Sequence, residues 1–272
     1  PTAKASWQDY IPASWDTESY FPLLKNYSRI AVTAHPASTV GTSHLVDTLI
    51  ASGIRVVKIF APEHGFRGQA EAGETIPDGR DPFTGLPVVS LYGKNKKPSP
   101  AQLEDIDCMV FDLQDVGVRF FTYLSTLHYI MESCAENNIP VIVLDRPNPN
   151  ADYTEGPVLE KEFASFVGMH PIPLVYGMTL GEMAGMINGE GWLNNGIQCQ
   201  LKVIRMKQYN RQAGVVLPVR PSPNLPNPTS IRLYPSLCLF EGTGISVGRG
   251  TDFPFQVIGY PHPDFGTFTF VP

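Results

Sequence analysis

A chain of 272 residues has room for one large domain or two modest ones, and its 43% apolar content excludes a disordered or fibrous protein. Twenty basic side chains against 26 acidic ones leave a net charge of −6, with no basic footprint for nucleic acid. Only 17% of the residues are charged, while 26 prolines and 24 glycines point to a surface of stiff, irregular loops. No apolar run approaches the roughly 18 residues of a membrane span.

In chain order, RIAVT (29–33), VVKIF (56–60), PVVSL (87–91), CMVFDL (108–113), VIVL (141–144) and LKVIRM (201–206) read as strands. Most are continuous apolar runs, as expected of parallel strands covered on both faces. Helices alternate with them. The first lies between Gly41-Thr42-Ser43 and Ser52-Gly53, with Leu45, Leu49 and Ile50 turned inward. Ser99-Pro100-Ala101-Gln102 and Thr179-Leu180-Gly181-Glu182 are capping boxes, the first with proline at the opening helical position. A longer helix over 123–137 carries Leu124, Leu127, Met131 and Cys134 on one face. This βαβ series predicts an α/β fold with an open, mostly parallel sheet in three layers. Composition changes near residue 210, where the proline-rich stretch 219–235 shows no helix pattern. Residues 234–272 hold strand-like pieces (FQVIG, FGTFTF) and are expected to start a smaller second domain that stops incomplete. The predicted division is 1–210 and 211–272.

Cys108, Cys134, Cys199 and Cys238 lack a CxxC, and the six histidines form no HxxxH or HExxH, so neither a metal nor a redox pair is expected. The chain opens at Pro1 without a signal-peptide pattern, which leaves its compartment open. The expected strand ends are polar: Glu63, His64 and Arg67 follow the second strand, and Tyr92 the third. Asp112, Gln114, Asp115 and Arg119 mark the fourth, and Asp145, Arg146 and Asn148 the fifth. Ligands of open α/β sheets bind beyond such ends. The alternative for each Asp–Arg pair is a loop brace. Nucleotide sites are disfavoured: there is no GxxxxGK[ST], HPASTVG follows the first strand in place of GxGxxG, and GTGISVG (242–248) has one residue too many. No GxSxG elbow is present either. Carboxylates in a cleft lined by Tyr, Phe, Asn and Arg fit sugar chemistry, in which an acid protonates the leaving glycosidic oxygen. Glu63, behind a proline and beside a histidine, is the best acid; its alternative is a turn pair with Arg67.

The segments PEHGFRG (62–68), AGE (72–74), DPFTGLPVVSLYG (81–93), VFDLQDVGVRFFTYLST (110–126), LDRPNP (144–149), EGPVLE (155–160), PSPNLP (221–226) and EGTGISVGRGTDFPF (241–255) carry a specific resemblance. The sequence resembles the NamZ-type exo-β-N-acetylmuramidases, long classed as a domain of unknown function. The resemblance implies a Rossmann-like domain joined to a smaller α+β domain across the active cleft. It implies release of terminal β-1,4-linked N-acetylmuramic acid (MurNAc) from peptidoglycan fragments such as MurNAc-GlcNAc, without a cofactor. An extracytoplasmic location (periplasmic, secreted or cell-surface) follows from that substrate. The resemblance implies that the family's catalytic Glu-His-Gly glutamate corresponds to Glu63, with His64 a catalytic-site candidate that orients it, the alternative being a packing role. Candidates for the second catalytic group are Glu71, Glu74, Asp115, Glu155, Glu241 or the substrate's own acetamido group. Arg67, Arg119 and Arg146 are candidate partners of the lactyl carboxylate, with at least one expected to be structural. Tyr92 and Tyr123 are candidate sugar-facing rings, and Gln114, Asn148, Asn224 and Arg249 further contacts. His35 and Gly244 stand where the family usually has Asn. A non-catalytic cell-wall sugar-binding protein is the competing reading, and oligomeric state is open.

Overall fold

The computed structural model describes residues 10–67 and 78–272. Among these described residues, nine strands run β1 (Ile30–Ala34), β2 (Thr39–Val40), β3 (Ser43–His44), β4 (Val56–Ala61), β5 (Gly79–Arg80), β6 (Pro87–Ser90), β7 (Cys108–Asp112), β8 (Val141–Leu144) and β9 (Leu201–Ile204). The helices are α1 (Thr17–Leu24), α2 (Leu45–Ala51), α3 (Pro100–Leu103), α4 (Tyr123–Glu136), α5 (Leu180–Gly189) and α6 (Pro228–Leu237). Seven strands form one sheet in the order β5-β6-β4-β1-β7-β8-β9, parallel except for β5 at one edge; β2 and β3 make a separate hairpin. The six parallel strands are arranged as in the dinucleotide-binding sheets, with the order reversing between β1 and β7.

Period-two geometry explains why the strands read as continuous apolar runs. On β1, Ile30, Val32 and Ala34 pack with Leu45 and Leu49 of α2 and Tyr20 and Leu24 of α1, while Ala31 turns to the opposite core. On β7, Met109 and Phe111 join that opposite core with Leu124, Leu127 and Met131 of α4 and Met183 and Ile187 of α5. Both faces are covered, which gives the three layers.

The two capping boxes form as the sequence predicts, at Ser99–Gln102 and Thr179–Glu182. The cap of α2 differs: His44 Nδ1, rather than a residue of 41–43, accepts from Val46 N. The proline-rich stretch also departs from expectation, because α6 forms inside it. Pro228 occupies the first turn, where no N–H is needed, and Asn227 and Ser230 cap each other reciprocally. Leu225, Ile231, Val247 and Phe255 then join the core beside α4. Beyond β9 no further strand forms among the described residues, only isolated bridges of Lys207 with Ile11 and of Ser246 with Gly259. The alternating FGTFTF pattern has no partner backbone to pair with, and alternation alone does not make a ladder. All four cysteines are free thiols.

Candidate active-site cleft

A cleft of about 500 Å³ opens beyond the C-terminal ends of β4 and β6. One wall is Glu63, His64, Tyr92 and the chain entering α4 (Phe120, Phe121, Thr122, Tyr123); the other is Ser222, Asn224, Leu225, Tyr234, Cys238, Glu241, Arg249 and Phe255.

The tight turn after β4 presents Glu63. Gly65 N donates to Pro62 O at 3.1 Å, so Glu63 and His64 occupy the two central positions. His64 takes φ +70°, a conformation glycine ordinarily supplies at the second of these. The buried ring of His64 lies 3.3 Å from Ser222 Oγ and so touches the opposite wall. Non-glycine residues held in this region cluster where a side chain is needed at that point.

Glu63 itself is half-buried. Thr122 Oγ1 donates to its Oε2 at 3.2 Å, and the Tyr92 hydroxyl lies within reach of the same carboxylate's charge. Thr122 is the N-cap of α4, yet its hydroxyl makes no capping bond; it is given to Glu63 instead. Tyr123 OH donates to Glu63 O at 3.3 Å and fixes the backbone. Burial raises the Tyr92 hydroxyl above its usual range, and the charge of Glu63 adds to this. The Cys238 thiol is pushed up to about 12 by burial first and then by its bond to Glu241, so it is not a nucleophile near neutral pH. Among the described residues no group of three His, Cys, Asp or Glu side chains is placed to hold a metal ion.

The family model described as "Exo-beta-N-acetylmuramidase NamZ, N-terminal" matches residues 30–229, and its C-terminal counterpart matches 232–268. The chain belongs to the NamZ family. It is 48% identical over 241 residues to the peptidoglycan beta-N-acetylmuramidase NamZ of Bacillus subtilis (strain 168), covering 86% of this chain and 57% of that relative. The chain thus spans a little over half the length of the curated relative it matches. Crystal structures of two DUF1343 family proteins from Bacteroides fragilis NCTC 9343 share the fold. One has a TM-score of 0.86 at 46% identity, covering 97% of this chain and 70% of that one. The other has a TM-score of 0.83 at 38% identity, covering 92% and 65%.

Of the residues singled out from the sequence and the NamZ resemblance, Glu63, His64, Tyr92, Tyr123, Asn224, Glu241 and Arg249 meet in the cleft. The expected convergence of four carboxylates and three arginines is corrected. Arg67 borders a smaller adjoining pocket, but its Nε and Nη2 grip Asp81 at 2.7 and 2.9 Å while Nη1 and Nη2 hold Asp47. Arg146 is buried on Asp112, with Nε–Oδ1 2.5 Å and Nη2–Oδ2 2.8 Å. Arg119 donates to Pro157 O and Ile172 O. Asp145 receives Gly181 N and Thr179 Oγ1 at the start of α5. Gln114 and Asn148 are buried in backbone contacts: Gln114 Nε2 reaches Asp115 O and Pro147 O, and Asn148 Nδ2 reaches Met178 O. Gly117, at φ +76°, is required there, because a Cβ would lie 2.1 Å from Asn148 Oδ1. Asp115 is buried away from the cleft lining, accepting from Tyr176 OH and Gly117 N. Glu155 is exposed and contributes only backbone to a bridge with Val175. Glu71 and Glu74 lie outside the described residues. His35 is buried at the head of β1, and Gly244 lines a different hollow.

Phe120, Phe121, Thr122, Ser222, Tyr234 and Phe255 line the cleft without having been singled out. Thr122 had a legible signal, since a threonine directly before the periodic stretch of α4 is a natural cap whose hydroxyl is available. The aromatic residues had none: in sequence they look like core.

Proposed function

We propose that this chain is a glycoside hydrolase that releases terminal β-1,4-linked N-acetylmuramic acid from the non-reducing end of peptidoglycan fragments. The observation that carries the reading is the placement of Glu63. Of the strand-end carboxylates Glu63, Asp112, Asp115 and Asp145, it alone lines the cleft, with its carboxylate held by Thr122 and with Tyr92 on the same wall. Membership of the NamZ family and the activity in the B. subtilis relative's name support the substrate.

In this reading Glu63 gives its proton to the glycosidic oxygen as the C1–O bond breaks, and the leaving GlcNAc departs as the free alcohol. Positive charge develops at C1. Of the candidates within the described residues, Glu241 is the carboxylate on the cleft wall, and the substrate's 2-acetamido oxygen is the internal alternative. Water then supplies OH to C1, and its proton restores Glu63. Residues 211–272 act as the smaller part closing the cleft, since Ser222, Asn224, Tyr234, Glu241, Arg249 and Phe255 all come from it. A peptidoglycan substrate supports a site of action outside the cytoplasmic membrane, in cell-wall turnover.

The test is hydrolysis of MurNAc-β-1,4-GlcNAc by the wild-type protein and by Glu63→Gln. Loss of the general acid is expected to lower kcat by about 10²–10⁴-fold with sugar binding retained. Undiminished cleavage by the variant removes Glu63 from the mechanism. A folded wild type that binds the disaccharide without cleaving it would make the protein a sugar-binding module.

A further inference from the structure

Arg249 is the one Lys or Arg among the described residues lining the cleft, and it is only partly used. Its Nη1 donates to Glu241 Oε1 at 2.9 Å, with the two side chains 44% and 31% exposed. Among the described residues, its Nε and Nη2 have no protein acceptor. Those two nitrogens form the edge that grips a carboxylate bidentately elsewhere in this molecule, in Arg67 on Asp81 and in Arg146 on Asp112. In Arg249 the same edge meets no acceptor among the described residues of the cleft. The partner Glu241 is itself shared, because its Oε2 accepts from Cys238 Sγ at 3.0 Å. Tyr92, which feels the charge of Glu63, also feels that of Arg249, and all three line the cleft, so the cation and the acid act on one region of it.

We propose that Arg249 is a specificity-determining residue that reads a carboxylate on the bound sugar through its Nε/Nη2 edge, with Glu241 as the counter-charge that holds the guanidinium in the unliganded cleft. This rests on the glycosidase reading for its ligand, the lactyl carboxylate of N-acetylmuramic acid. A guanidinium edge matches a carboxylate in plane and gives two charge-assisted bonds, whereas a neutral N-acetylglucosamine offers nothing to it. Glu241 stands against the incoming carboxylate as a like charge, so it limits affinity while it positions the arginine.

The experiment measures the affinity ratio of N-acetylmuramic acid to N-acetylglucosamine by titration calorimetry. Arg249→Gln is expected to lower the ratio by about 10- to 100-fold, and Arg249→Lys, which keeps charge but loses the fork, by less. Glu241→Gln is expected to raise the ratio several-fold, a sign that a purely structural pair would not produce; it also keeps the proposal testable if Arg249→Gln does not fold. A ratio unchanged in Arg249→Gln overturns the proposal. So does a ratio that falls instead with Arg220→Gln, the exposed cation of the adjoining pocket. Binding and hydrolysis separate the two readings. A wild type that selects the acidic sugar through Arg249 yet cleaves nothing overturns the hydrolase alone. One that cleaves with no role for Arg249 overturns this proposal alone.

Discussion

Arg146 Nε and Nη2 hold both oxygens of Asp112, and the same guanidinium reaches Ser14 Oγ and Thr39 O. This cluster sits beside β1 and β7, where the strand order reverses and related sheets bind nucleotides. His35 completes the seal by accepting Gln114 N on its Nε2 at 2.8 Å. Burial, aided by Arg146, holds the His35 ring well below its ordinary pKa, so it stays neutral and remains an acceptor. Side chains thus occupy the crevice that a pyrophosphate would need, and the cleft forms instead beyond β4 and β6.

Arg146→Gln leaves the fully buried Asp112 carboxylate without its counter-charge. The expected loss is about 3–5 kcal/mol of unfolding free energy, read by urea denaturation. Arg249→Gln, at an exposed pair, is expected to change stability by less than about 1 kcal/mol. Equal losses in the two variants would show that the two arginines have been given the wrong roles.

His64 carries backbone strain that can be isolated by two substitutions. Both His64→Ala and His64→Gly remove the ring and its contact with Ser222, but only glycine relaxes at φ +70°. His64→Gly is therefore expected to be more stable than His64→Ala by roughly 1 kcal/mol. Under the proposed glycosidase function, neither variant is expected to match the wild-type rate, because the ring joins the two walls. Equal stabilities in thermal unfolding would remove the strain argument.

Asp115 sets a pH dependence. Burial raises its carboxyl to about 6, with hydrogen bonds from Tyr176 and Gly117 opposing the rise, and Oδ2 has no partner among the described residues. Between about pH 4 and pH 6 the native state therefore holds a proton that the unfolded chain releases, and stability falls as pH rises through that window. Asp115→Asn keeps an acceptor for Tyr176 and Gly117 and removes the titration. Its stability relative to wild type should improve from pH 4 to pH 6 by up to on the order of 3 kcal/mol, then level off. Asp81, held at about 2 chiefly by its bond to Arg67, contributes stability above about pH 4 that is lost only on further acidification, outside this window. Asp145, also raised to about 6 by burial, titrates equally in both proteins and cancels in the difference. A difference curve that is flat from pH 4 to pH 7 would refute the assignment.

Much of the sheet was legible because its strands are buried on both faces: 30–34 is apolar except for Thr33, and 108–113 except for Asp112. The capping boxes were legible because they are local chemistry. Helix α6 was hidden by its prolines, one of which sits at a first-turn position where it does no harm. FGTFTF misled for the opposite reason, because its alternation lacks a partner strand. In the cleft, Glu63 was readable from a proline-glutamate-histidine-glycine turn at a strand end. Arg67, Arg119 and Arg146 were not, since an arginine beside an aspartate reads the same whether it braces a loop or faces a ligand.

The sequence by itself determined the α/β class, the parallel sheet and the carboxylate at the end of β4, because burial periodicity and turn chemistry act between neighbours along the chain. Only the tertiary structure decided which charges are spent. Asp112 meets Arg146 across 34 residues, Asp47 meets Arg67 across 20, and Glu63 receives the hydroxyl of Thr122 across 59. Such pairings cancel some charges and leave others open, and they are settled by packing in three dimensions. At the cleft, packing leaves the Arg249 Nε/Nη2 edge without a protein acceptor among the described residues.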